Sequence, residues 1–198
     1  MTKICIDFKF DENEIQRYKN KLPCDNDVFL LLIYFIVPIR FSINDIDMFR
    51  HTPIRYNGHG DTTITEPEKK YLADGSEIVQ NNNSSQWFEI PLLHFVTNGF
   101  IEVMKIEQGN IGSYCIPDTS RFIYYEPLGN RVKVHCTMQQ SNIAIVEKTL
   151  LIGSYKDFVH RVQIFMKDNF HELQSSRLWS LWLDETDENH LMRPLERM

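Results

Sequence analysis

The stretch FIYYEPLGNRVKVH, from Phe122 to His135, constrains the fold more than any other part of the chain. Pro127-Leu128-Gly129-Asn130 interrupts two runs of branched and aromatic residues, and turn formers between strand formers specify an antiparallel hairpin. Segments of the same kind flank it, SYCIP before and IAIVEKTLLIG after, each bounded by turn residues. Four strands in an antiparallel meander are expected.

The N-terminal stretch KICIDFKF alternates, with Ile4, Ile6, Phe8 and Phe10 on one side, as a half-buried strand does. A short helix is expected around Glu14 to Lys21, ended by Pro23. DVFLLLIYFIVPIRFSIND is too apolar to alternate and reads as a central strand covered on both faces, with a buried helix over Val28 to Ile36 left open. From Arg50 to about Gln86 apolar density falls and an asparagine and serine tract follows, so a long polar excursion is expected, ordered by a small hairpin or mobile.

Trp87, Ile90, Leu93, Val96, Phe100, Ile101 and Met104 recur at spacings of three and four, predicting a helix capped by Ser84 or Ser85 with Pro91 in its first turns. Asn98-Gly99 is its weak point, where a strand FIEVMKIEQ could begin. Tyr155, Phe158, Val162, Phe165, Met166 and Phe170 mark a long final helix, with Ser154 and Asp157 as its N-terminal cap. The sum is an α+β fold: a mainly antiparallel sheet with the middle helix and the long C-terminal helix packed on one face. One domain over residues 1–198 is expected, with the excursion at about 50–86 and a charged tail at about 184–198.

Composition narrows the function. A net charge of -6 repels a phosphate backbone, so nucleic acid is not an expected ligand, whereas a basic protein partner suits it. Cys5, Cys24, Cys115 and Cys136 form no CxxC pair, and buried reduced thiols are expected. The run from Val28 to Ile39 is broken by Pro38 and falls short of the roughly 20 apolar residues of a membrane helix. With no secretory signal in MTKICIDFKFDENE, a cytoplasmic location is expected and no membrane partner.

Two groups of residues stand out as candidates. In NGHGD, glycines frame His59 and Asp61, so an imidazole and a carboxylate lie where backbone permits close approach to a ligand, with His51 as a third group within reach. Near the C-terminus, Trp179 and Trp182 are interface-anchoring types, and Asp184, Glu185, Asp187 and Glu188 would complement a basic patch. No HExxH, GxSxG, GxGxxG or GxxxxGK pattern occurs, His135 and Cys136 point to opposite strand faces, and His160 and His171 lie about three turns apart. No catalytic or metal-ligating set is therefore assigned and no cofactor expected. A small metal-dependent hydrolase using His59 and Asp61, or a binding subunit in phage defence or counter-defence, is the alternative to a binding protein.

The succession of WFEIPLLHFVTNGFIEVM, RFIYYEPLGNRVKVHCTM and YKDFVHRVQIFMKDNFHEL after an initial strand resembles, in layout, the small α+β immunity proteins that accompany bacterial polymorphic toxins. It covers about residues 1–12 and 86–174, and the excursion at 50–86 departs from it. The resemblance implies a non-enzymatic protein that neutralises a cognate toxin, such as a basic nuclease domain, by direct contact and without a cofactor. It carries no individual residue over as functional, although the loop at 54–70 becomes a candidate contact.

Overall fold

The structure, a computed structural model, describes residues 2–10, 12–19, 35–49, 87–117, 121–136 and 143–171, and the backbone alone at 54–56 and 62–64. It is α+β, built from two four-stranded antiparallel sheets and a two-stranded ribbon. In the first sheet β2 (Ile36–Ile43) is central. β1 (Ile4–Phe8) runs along one of its sides, with Ile6 opposite Phe41, while β3 (Ile46–Asp47) and β6 (Phe88–Pro91) share the other. Asn44 and Asp45, at φ of 50° and 63°, make the two-residue turn from β2 to β3, both central residues being left-handed as the hairpin twist requires. Asn44 also accepts the Lys3 N–H through Oδ1 at 2.9 Å.

α1 (Glu12–Lys19) matches the expected short helix, and its Tyr18 hydroxyl donates to the Ile36 carbonyl at 3.2 Å. β2 is a central strand as expected, but it is not covered on both faces. Val37, Ile39, Phe41 and Ile43 are fully buried, whereas Pro38 and Arg40 are half-buried and Ile36 is exposed. The alternation missing from the whole apolar run is present in this half of it; 28–34 lie outside the described residues.

The middle helix differs from expectation at both its start and its interior. Phe88–Pro91 is the strand β6, because the free side of β2 offers Ile36–Ile39 as pairing partners and a sheet edge outweighs local helical spacing. α2 then follows as four continuous pieces: α-helical Leu92–His94, a π-helical turn Phe95–Gly99, α-helical Phe100–Met104 and 3₁₀-helical Lys105–Gln108. Asn98-Gly99 ends nothing; it is absorbed by the π turn, with Gly99 against the Phe95 ring. Left-handed Gly109 closes the helix: its N–H donates to Ile106 and the Asn110 N–H to Lys105, both at 3.1 Å.

The meander is present as expected, in the order β10 (Ile143–Glu147), β9 (Arg131–Cys136), β8 (Phe122–Leu128), β7 (Gly112–Cys115). Leu128 pairs with Arg131, so only Gly129 and Asn130 turn the chain, and Gly129 at φ of 67° fills the first central position that favours glycine. α3 (Lys148–Asn169) begins directly after β10. Ser154 is therefore not its cap. It sits two turns inside, with its hydroxyl donating to the Leu150 carbonyl at 2.9 Å, an i−4 bond typical of serine within a helix.

One face of α3 buries Leu151, Ile152, Tyr155, Phe158, Val159, Val162 and Met166. That face joins everything else. Phe158 meets Phe8 of the first sheet with ring centroids 6.0 Å apart, Tyr155 meets Phe41 at 5.6 Å, and Phe95 of α2 meets Phe158 at 5.7 Å. The hydroxyls of Tyr125 in the second sheet and Tyr155 of α3 lie 2.6 Å apart, both residues fully buried. Losing one of these hydroxyls leaves its partner without its bond, so Tyr125→Phe or Tyr155→Phe singly is expected to cost about 1–3 kcal/mol. The double variant should cost less than the sum of the two, and urea unfolding of the four proteins measures the difference. Strict additivity would show that the bond contributes nothing.

Candidate functional site

Strand alternation gives the meander two unlike faces. Ile123, Tyr125, Val132, Val134, Cys136, Ala144 and Val146 point into the core, and the residues between them point outward. Among the described residues no layer covers the outward face, and such a face is ordinarily polar. Here it is aromatic and aliphatic as well as charged.

Register assembles these side chains. Tyr124 stands opposite His135, and His135 opposite Ile143; one row along, Glu126 faces Lys133, which faces Ile145. Phe122 and Tyr124 stack with centroids 6.0 Å apart and planes at 26°, and Tyr124 stacks on His135 at 5.2 Å and 24°. Glu126 engages both neighbouring side chains: Oε1 lies 2.8 Å from His135 Nε2 and Oε2 accepts from Lys133 Nζ at 3.0 Å. The hydrogen bond from His135, then that from Lys133, holds the Glu126 carboxyl below the ordinary carboxylate range. Ile143 and Ile145 keep 39% and 45% of their surface in water, and Leu128 at the turn keeps 47%, enough apolar area beside a fixed polar cluster to form a docking patch.

What this face can do chemically follows from its partners. The imidazole is engaged by a carboxylate and a phenol ring. The hydroxyl of Ser113 belongs to the next strand beyond Tyr124, roughly 10 Å away at two strand spacings. Among the described residues no hydroxyl or thiol hydrogen-bonds to that imidazole. Among the described residues no three His, Cys, Asp or Glu side chains converge as metal ligands would. A depression of about 510 Å³ between Glu107 and the first turns of α3, lined by Lys148, Thr149, Ile152, Gly153 and Lys156, is wide open to solvent.

His59, Asp61, Trp179, Trp182, Asp184, Glu185, Asp187 and Glu188 lie outside the described residues, as do His51 and Cys24. Around the first two, β4 (Ile54–Tyr56) and β5 (Thr62–Ile64) pair antiparallel, Ile54 opposite Ile64, so the polar excursion does contain a small hairpin. His94 is half-buried at the start of α2, with Nδ1 3.2 Å from the Tyr114 hydroxyl, and burial lowers its pKa. His135 and Cys136 do point apart, the thiol buried. Of the other cysteines, Cys5 is half-buried and Cys115 is exposed, contrary to the expected burial, because Cys115 falls on the outward side of β7.

The outward residues of the hairpin were not among the sequence candidates, although a signal for them exists. With a two-residue turn at Gly129-Asn130, counting back pairs Tyr124 with His135 and Glu126 with Lys133. No helix among the described residues is long and apolar enough to cross a membrane. Compared with family models, with curated proteins and with solved structures, the chain matches none.

Proposed function

We propose that the chain is a non-enzymatic protein-binding module of the immunity type, which neutralises a toxin by direct contact, and that it meets its partner through the outward face of β8, β9 and β10. The observation that carries this reading is the stacked series Phe122, Tyr124, His135, flanked by the exposed Ile143 and Ile145 and by a carboxylate already bonded to His135 and Lys133. Rigid aromatic rings on a sheet lose little entropy on contact, and a prepaired polar group needs no reorganisation. The net charge of -6 would speed encounter with a basic partner, while the near balance of charge on the face itself leaves specificity to shape. The layout shared with toxin immunity proteins supports the choice of partner.

Binding to the product of the neighbouring gene, and protection of cells that express it, tests the proposal. Tyr124→Ala is expected to weaken that complex by about 10- to 30-fold, the size of a central aromatic contact, with little change in melting temperature. Lys133→Glu, which sets two carboxylates side by side, should weaken it too. Full protection by both variants with unchanged affinity would sink the reading.

A further inference from the structure

The strand edges β1, β7 and β10 of the two large sheets are not treated alike. Backbone bonds from Asn44 to Lys3 and from Lys9 to Pro38 place Ile4, Ile6 and Phe8 of β1 with their peptide groups facing away from β2. That edge is covered by α3: the Arg161 guanidinium donates to the Ile6 carbonyl and to Asp7 Oδ1, the latter at 2.9 Å. On β7 the outward N–H of Ser113 donates to Glu102 Oε2 of α2 at 2.7 Å, and Lys105 Nζ holds the other oxygen of that carboxylate at the same distance.

Among the described residues β10 has no such cover. The Lys148 N–H donates to Asn130, which makes Val146 with Val132 and Ala144 with Val134 the hydrogen-bonded pairs and turns the peptide groups of Ile143, Ile145 and Glu147 outward. No hydrogen bond from the described residues reaches them on that side. Natural edges of this kind are guarded by lysine, proline or a bulge, whereas this one carries two exposed isoleucines.

We infer that β10 pairs antiparallel with β10 of a second copy of this chain, across a two-fold axis at Ile145. A second copy fits for three reasons. The register that uses all three outward residues sets Ile145 opposite Ile145 and Ile143 opposite Glu147, so the central pair is apolar on both sides and no like charges face. Each Glu147 then enters the row that holds His135 of the other copy, about two strand spacings away. The pairing also closes on itself, since a two-fold axis at Ile145 uses the same edge of both copies and leaves no free β10 edge to add a third. The inference stands apart from the proposed contact face, as it concerns the strand's edge.

Sedimentation of the full chain, from about 1 µM to about 500 µM where small interfaces assemble, should show a monomer passing into a dimer. Ile145→Lys, which brings two cations together on the axis, and Ile145→Pro, which removes an outward N–H without taking a bond from β9, should each shift the midpoint at least tenfold with an unchanged circular dichroism spectrum. In a Cys115→Ser background, Ile145→Cys should oxidise to a linked dimer, because Cα atoms of a bonded antiparallel pair lie about 5.5 Å apart. Ile143→Cys should not, its copies standing about 13 Å apart. A monomer throughout, a dimer untouched by both first substitutions, or cross-linking at 143 instead of 145 would overturn the inference.

Discussion

Gly112→Ala is expected to destabilise the protein by about 3 kcal/mol or more, lowering the melting temperature by roughly 6–12 °C. A Cβ at Gly112 would lie 2.0 Å from the Glu102 carbonyl oxygen and 2.8 Å from its carbon, with a ring atom of Tyr125 at 3.3 Å. Two of the three obstacles are backbone of α2, so no rotamer relieves them. The helix would have to leave the sheet, and with it the bond from Ser113 N–H to the Glu102 carboxylate. Gly153→Ala supplies the control. Nothing lies within 4 Å of a Cβ there, the position is inside α3, and alanine should stabilise by about 0.5–1 kcal/mol. Thermal unfolding of the two variants should move in opposite directions. If Gly112→Ala melts with the parent protein, the close approach of α2 to β7 is wrong.

Strong alkali should unfold the chain in a narrow range of pH. Tyr114, Tyr125 and Tyr155 are fully buried, and burial is the largest cause raising each hydroxyl above the ordinary value of 10. Neighbouring tyrosines add to the rise at Tyr114 and Tyr155; at Tyr125 the hydrogen bond with Tyr155 acts the other way. In the unfolded chain all three lose a proton near pH 10, while the folded protein keeps them neutral. Their contribution to stability is therefore complete below pH 10 and is lost as pH rises from there toward the folded values. The slope is about 1.4 kcal/mol per pH unit for each, or about 4 for the three together.

Against a total stability of about 5–15 kcal/mol, that loss is decisive within a few pH units. Tyrosinate absorbance and far-ultraviolet circular dichroism, followed together, should show Tyr114, Tyr125 and Tyr155 ionising only as helix and sheet signals collapse. Smooth ionisation of all eight tyrosines near pH 10, with the dichroism intact, would contradict the burial.

The meander and the buried face of the last helix were legible in the residues because both signals are local. Ile123, Tyr125, Val132 and Val134 alternate within their own strands, and Tyr155, Phe158, Val162 and Met166 recur within one helix. Trp87 to Met104 shows where that logic stops. Its spacings of three and four suit a helix, yet Phe88–Pro91 is a strand because β2, distant in sequence, offers an unfilled side. The true start of α3 at Lys148 was hidden for a related reason. Glu147 supplies no side-chain cap, and the β9 pairing that holds Ile143–Glu147 extended decides where the strand yields to helix.

The candidate contact face divides the same way. Which residues of Phe122 to His135 point outward follows from alternation, and which of them touch follows from the turn, so half of that face is written in one hairpin. The rest required β10 to lie against β9, α3 to cover the inner side, and α2 to seal β7 through Gly112 and Glu102. By itself the sequence determined the periodicities, the hairpin and the sign of the net charge, since these depend on near neighbours and on composition alone. Tertiary structure decided which strand edges were filled, which sheet face stayed open and where helices began, because each of those depends on a partner many residues away along the chain.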